Sequence, residues 1–209
     1  MDSEANSTIK ENLSLVASRV DSSSAEARST SREPVLASVD IPPRFRNWQL
    51  QDYAQAGENA RDWMNAKEPW SLYIHGPTGS HKTSLAIALM QRVRVVMRTP
   101  VGHFVPGYKA VNTFRNLNNP QTAELLEAWR GTPLLILDDL GKHRNTPNTV
   151  EQLLFLLHYR YDWYTPNMRT IVTSQMDLNE LGERIDEATA RRLDEGMVVE
   201  LQRPKENSK

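Results

Sequence analysis

The residues Gly76-Pro77-Thr78-Gly79-Ser80-His81-Lys82-Thr83 have the makings of a phosphate site. Their spacing follows G-x-x-x-x-G-K-[ST]. In that turn backbone N–H groups cradle a polyphosphate, the lysine reaches the β- and γ-phosphates, and the hydroxyl sits on Mg²⁺. One position departs from the pattern, because His81 stands where glycine belongs. Gly76, Pro77, Thr78, Gly79, Ser80, His81 and Lys82 would surround the phosphates, and Gly76 and Gly79 supply backbone freedom. Lys82 would also act on the transferring group, and Thr83 would be a metal ligand. A second run, Leu134-Leu135-Ile136-Leu137-Asp138-Asp139, closes an apolar stretch with two carboxylates. Asp138 would hold Mg²⁺ directly or through water, and Asp139 would orient or deprotonate the attacking water. ATP and Mg²⁺ are the ligands this chemistry expects.

Each motif has a plainer explanation. Glycine turns often only join a strand to a helix, and Asp-Asp after an apolar run often makes a turn or a cap. The two together, in order and in context, favour nucleotide binding. Hydrolysis is a separate matter, since His81 and Asp139 both bear on the catalytic machinery. A side chain at position 81 crowds the loop or strains it if φ must be positive. The backbone N–H that would hold phosphate is retained, and a protonated imidazole would add favourable charge.

A phosphate loop works only between a strand and a helix. Trp70–His75 is short and rich in aromatic and β-branched residues, as a strand requires. Thr83–Met90 consists of good helix formers, and the pattern runs to Met97. A helix starting near Lys82 aims its unpaired N–H groups and positive dipole end at the loop. The run ending at Asp138 reads as a buried strand of a parallel sheet. Ligands in such sheets bind outside the carboxyl ends of the strands, where both motifs fall.

The other elements expected are a helix over Leu50–Met64, a strand at Val101–Val105, and helices over Tyr108–Leu117 and Thr122–Trp129. After them come a helix over Asn148–Trp163 capped by Asn148 or Thr149, a strand at Arg169–Thr173, a helix over Ala188–Leu193 and a strand at Met197–Leu201. Alternation of strands and helices means an α/β fold with a mainly parallel sheet, here five-stranded between two helical layers.

The chain has 209 residues, enough for one domain and a tail. Net charge is −1, so any nucleic-acid contact must come from a local patch. With no cysteine there is neither a disulfide nor a thiolate metal site. His75, His103, His143 and His158 show no ligand spacing. No apolar stretch spans a membrane and no signal-peptide core is visible, so a cytoplasmic protein is expected. Residues 1–38 are serine-dense, lack aromatics and read as disordered. Within them Ile9, Leu13, Val16 and Val20 recur at helical spacing. They suit a short helix that folds on a partner, or a transient helix with none. A globular domain follows over 39–202, and 203–209 form a polar tail.

The chain resembles the AAA+ ATPases of the DnaC/IstB group, bacterial helicase loaders and transposition helpers. The resemblance spans about residues 41–201. It rests on Ile41-Pro42-Pro43-Arg44-Phe45, on the two motifs above continued by Ser84-Leu85-Ala86 and Leu140-Gly141, on Ile171-Val172-Thr173-Ser174-Gln175, and on Gly182-Glu183-Arg184-Ile185 leading to Arg191-Arg192-Leu193. It implies a P-loop domain of the AAA+ type that binds and hydrolyses ATP. It places Gln175 at sensor 1, where the family often has the shorter Asn. It makes Arg192, or its neighbour Arg191, an arginine finger reaching a neighbouring subunit, and hence implies an ATP-dependent homo-oligomer. The plainer reading of Arg184, Arg191 and Arg192 is a solvated helix face. The implied partners are a replicative helicase and single-stranded DNA, or a transposase and duplex DNA. Tyr108, Lys109, Phe114 and Arg115 lie where loaders touch single strands, although the spacing of Phe114 from Leu117 suits a core position better. A nucleotide-binding scaffold without turnover is the remaining alternative.

Overall fold

The computed structural model describes residues 41–66, 69–97, 102–141 and 146–204. The serine-rich segment with its Ile9–Val20 island, together with Val101, His143 and residues 205–209, lies outside them.

Five strands form one sheet: β1 (Ser71–His75), β2 (His103–Pro106), β3 (Leu134–Leu140), β4 (Arg169–Ser174) and β5 (Met197–Glu200). Their order is β2-β3-β4-β1-β5, and every pairing is parallel. β4 is buried at all positions and β1 at all but His75, as expected for strands covered on both faces. Side chains alternate between two cores with the period of the pleat. Leu72, Ile74, Leu134 and Ile136 face α1 (Ala54–Asn65) and α2 (Lys82–Met97), whose Trp63, Leu85 and Leu89 complete that layer. Tyr73, Leu135 and Leu137 face the opposite way. There they meet Phe114 of α3 (Gly107–Arg115), Trp129 of α4 (Pro120–Gly131), Leu156 of α5 (Pro147–Asp162), Leu181 of α6 (Leu178–Arg184) and Leu193 of α7 (Glu187–Asp194). The architecture is three-layer α/β/α.

The elements depart from the sequence expectation in three places. Leu50–Met64 is not one helix: a 3₁₀ turn over Leu50–Tyr53 precedes α1. The Asp52 carboxylate accepts the Gln49 N–H at 2.9 Å, and the Leu50 carbonyl lies where a Cβ on Gly57 would be. The cap of α5 is Thr146 rather than Asn148 or Thr149. Thr146 and Thr149 exchange side-chain and backbone hydrogen bonds, and Pro147 fills the first helical position, where an N–H has no partner to lose. α6 was not expected as a helix. It is short and carries Gly182, but Asp177 and Glu180 form a capping box at its start.

Arg160 stitches the sheet to the helices beneath it. It is fully buried in α5, and its guanidinium donates to the carbonyls of Trp129, Arg130, Thr132 and Arg169 and to the Thr170 hydroxyl, at 2.7–3.0 Å. The first two carbonyls end α4, where no helical N–H remains to meet them. Burial lowers the arginine's proton affinity, while the ring of carbonyl dipoles holds the charge in place. Arg160→Met keeps the volume and orphans this set of acceptors. We expect a loss of about 3 kcal/mol in urea unfolding, with an unchanged far-UV spectrum below the transition.

Candidate nucleotide site

β1 stops at His75 and α2 begins at Lys82; the loop between them turns at Gly76 (φ 141°) and Gly79 (φ 84°). Gly76 is required on two counts. Its φ is unfavourable for a side chain, and a Cβ would collide with the Leu201 carbonyl. Leu201 N–H also donates to His75 O at 2.8 Å, so the chain leaving β5 lies against the base of the loop. Lys82 is buried, with Nζ donating to the carbonyls of Gly76 (2.7 Å) and Pro77 (2.8 Å) and to Ser80 Oγ (3.4 Å). The ammonium therefore sits within the curve of the loop, at the amino end of a 16-residue helix. Positive side chain, unpaired helical N–H groups and helix dipole converge on one anion site.

His81 adopts φ 62°, the left-handed conformation that glycine takes freely. Its ring packs on Trp48, centroids 4.9 Å apart and tilted by 37°. Such a contact is worth about 1 kcal/mol, comparable with the cost of left-handed backbone, which His tolerates better than most residues. The backbone strain anticipated at this position is therefore present, and Trp48 is the neighbour that offsets it.

The two carboxylates occupy a bulge. β3 loses register with β4 between Leu137 and Leu140, and Asp139 takes φ 60° there. Asp138, buried, accepts the Thr83 hydroxyl and the Thr173 hydroxyl on the same oxygen, each at 2.7 Å. Thr173 Oγ1 in turn accepts the Asp139 N–H at 2.9 Å. One threonine on β4 thus satisfies the bulge and aims the carboxylate at the head of α2. The sequence reading valued Thr173 only as part of the Thr-Ser-Gln stretch.

Thr83 and Asp138 suit Mg²⁺. Both offer hard oxygen donors, already in contact, and Mg²⁺ is commonly held by one or two protein oxygens, substrate phosphates and water. Among the described residues no three His, Asp or Glu side chains cluster to hold a metal unaided, so phosphate would have to complete the shell. Above these groups lies a cavity of about 490 Å³. Thr78, Gly79, His81, Lys82, Thr83, Asp139 and Gln175 line it, together with Arg44, Phe45 and Trp48. The last three come from the turn-rich segment before α1. Its hydrophobic and aromatic character gave no periodic signal, and the sequence reading did not assign them to the site.

Comparisons with solved structures fit this geometry. The DnaC helicase loader aligns with a TM-score of 0.65 at 21% identity, covering 77% of this chain and 100% of that one. DnaI aligns at 0.63 and 22%, covering 78% and 96%. The replication initiator DnaA bound to AMPPCP and single-stranded DNA aligns at 0.64 and 16%, covering 78% and 51%. No protein-family model and no curated protein matches. This is the AAA+ fold. At these identities the likeness establishes architecture, and it is the DnaC/IstB group that the chain resembles.

Within the AAA+ fold the remaining expected residues fall as follows. Gln175, exposed at the end of β4, accepts the Thr78 hydroxyl at 3.0 Å, so the sensor-like side chain reaches the phosphate loop. Arg192 is half-buried in α7. Its guanidinium lies 4.9 Å over the Tyr161 ring, its Nη1 meets no hydrogen-bond partner among the described residues, and its carbonyl accepts Trp70 Nε1 at 2.9 Å. Arg191 beside it is exposed. Phe114 is buried edge-on to Trp129 and belongs to the core, while Tyr108 and Arg115 are exposed and Lys109 is half-buried. Among the described residues no helix is long and apolar enough to cross a membrane.

Thr173→Val removes the hydroxyl that joins Asp138, Asp139 and β4 at nearly constant volume. A loss of about 2 kcal/mol in chemical unfolding is expected, together with faster amide exchange at Asp139.

Proposed function

We propose that this protein is an ATP-dependent accessory factor of DNA replication, of the helicase-loader type, which binds and hydrolyses ATP with Mg²⁺. The observation that carries the reading is the convergence of Lys82, the head of α2 and the Thr83–Asp138 contact on one cavity. The replication context is supported by the kind of protein that shares the fold: a helicase loader, and an initiator bound to a nucleotide analogue and single-stranded DNA.

In this reading the loop N–H groups and Lys82 hold the β- and γ-phosphates. Mg²⁺ would supply charge neutralisation between them, held by Thr83 and Asp138. Asp139 lines the cavity from the bulge and orients the attacking water. Gln175 leaves Thr78 to contact the terminal phosphate or that water. Arg192 or Arg191 serves a neighbouring copy's site in an ATP-dependent oligomer, which for Arg192 means leaving the face of Tyr161. A guanidinium supplied in this way is worth orders of magnitude in rate. A replicative helicase and single-stranded DNA are the proposed partners, with Lys109 and Arg115 contributing to the DNA contact.

Steady-state ATPase assays with single-stranded DNA test the reading. Turnover in the wild type that Lys82→Ala abolishes is the expected result. Absence of turnover in the wild type that His81→Gly restores would mean a binding scaffold instead; its motivation is the left-handed backbone at His81. Lys109→Glu with Arg115→Glu should weaken single-stranded DNA binding and flatten its salt dependence. Unchanged affinity would remove those residues from the interface.

A further inference from the structure

The nucleotide cavity has a neighbour. Trp48 lines a second cavity as well, of about 520 Å³, walled by the turn that begins at Leu50, by α1 and by α2. Two guanidiniums line it, Arg61 from α1 and Arg92 from α2, and both are exposed. No carboxylate is among the lining residues; the acids closest to Arg61 in sequence, Glu58 and Asp62, stay outside it. Arginines elsewhere in the fold are engaged. Arg46 Nε donates to the Ile41 carbonyl at 3.1 Å, Arg169 Nε donates to the Pro166 carbonyl at 3.3 Å, and Arg130 pairs with Glu127. Arg61 and Arg92 make no hydrogen bond or ion pair among the described residues.

Two helices thus bring two unpaired cations to one cavity. Like charges repel, and an anion held between them turns the repulsion into attraction. The guanidinium fork matches phosphate oxygens two at a time, which makes phosphate the anion of best fit. Charge decides which phosphate. A phosphomonoester carries about two negative charges at neutral pH, as many as the two guanidiniums carry positive ones. A phosphodiester of a nucleic-acid backbone carries one. The rest of the lining suits the remainder of a nucleotide. Trp48, Leu50 and Ala88 offer apolar surface to a ring, and the Gln91 amide, fixed by donating to the Arg46 carbonyl at 2.9 Å, lies beside them. Apolar walls with a few placed polar groups are the usual make-up of a small-molecule site, and the volume is of the usual size.

We propose that this cavity is a second anion site, which takes the phosphomonoester of a nucleotide between Arg61 and Arg92. Its source is a free mononucleotide or the phosphorylated end of a DNA strand, which share that chemistry. The site is separate from the phosphate loop and uses neither Lys82 nor the head of α2. The two are neighbours through one residue. Trp48 is common to both linings and packs on His81, so a ligand in the second cavity meets the ring that braces the loop.

Calorimetry on the full-length protein carrying Lys82→Ala, which disables the phosphate loop, isolates the second site. Deoxyadenosine monophosphate should bind, and deoxyadenosine, which lacks the phosphate, should not. Arg61→Gln and Arg92→Gln should each weaken the monophosphate about tenfold or more, the scale of a lost charge-assisted contact. Arg184→Gln, which removes the same charge from α6, should leave its affinity within about twofold. Oligo(dT) with and without a 5′-phosphate then separates the sources. Competition with the monophosphate by the phosphorylated strand alone assigns the strand end, and competition by neither assigns the free nucleotide. Competition by both alike means recognition of the backbone and overturns the proposal. So does a monophosphate that fails to bind, or one that binds the two arginine variants as tightly as their parent. These outcomes are read without the phosphate loop, so they stand or fall apart from the ATPase result.

Discussion

Asp138 Oδ1 receives two hydroxyls, one from Thr83 at the head of α2 and one from Thr173 in the middle of the sheet. A buried carboxylate is costly unless its lone pairs are met, and here they are met by two separate elements. The consequence is geometric. The Thr83 contact ties the head of α2 to the sheet, and the bulge in β3 brings the Asp139 N–H to the same threonine. The phosphate loop spans the remaining gap between β1 and α2. Its shape is therefore a result of where Asp138 and Thr173 put the helix.

The loop carries strain that the site offsets locally. His81 and Asp139 are the two side-chain-bearing residues in left-handed backbone among the described positions, and both line the same cavity. Strained backbone collects at functional sites because surrounding contacts hold it there. For Asp139 the contact is Thr173; for His81 it is Trp48. The Trp48 contact has a further effect. It ties the turn-rich segment before α1, which also lines the cavity, to the loop through the one residue that departs from the loop pattern.

Much of the fold was legible from local pattern. The run Leu134–Leu137 has no polar alternation because its strand is covered on both faces, and α2 is bounded within a residue by its helix formers. The misses have local causes too. At Leu50–Tyr53 the helical period was right, but the Asp52 cap favoured a tighter turn. At α6 the capping box of Asp177 and Glu180 was readable, yet a seven-residue helix containing glycine gives too little periodicity to stand out. Phe114 had two readings on its spacing, and packing against Trp129 decided between them.

The sequence by itself determined the chemistry on offer. A lysine and a hydroxyl at the start of a helix, and carboxylates at the end of an apolar strand, are properties of short segments, and helical and strand periods place short segments reliably. Tertiary structure decided which groups converge. Thr173 joins Asp138 because β3 and β4 are neighbours, Trp48 meets His81 because the segment before α1 folds over α2, and Arg203 reaches Thr78 because β5 lies beside β1. None of these pairs is close in sequence. Their contacts follow from strand order and from one close approach at Gly76, and no local pattern of residues encodes either.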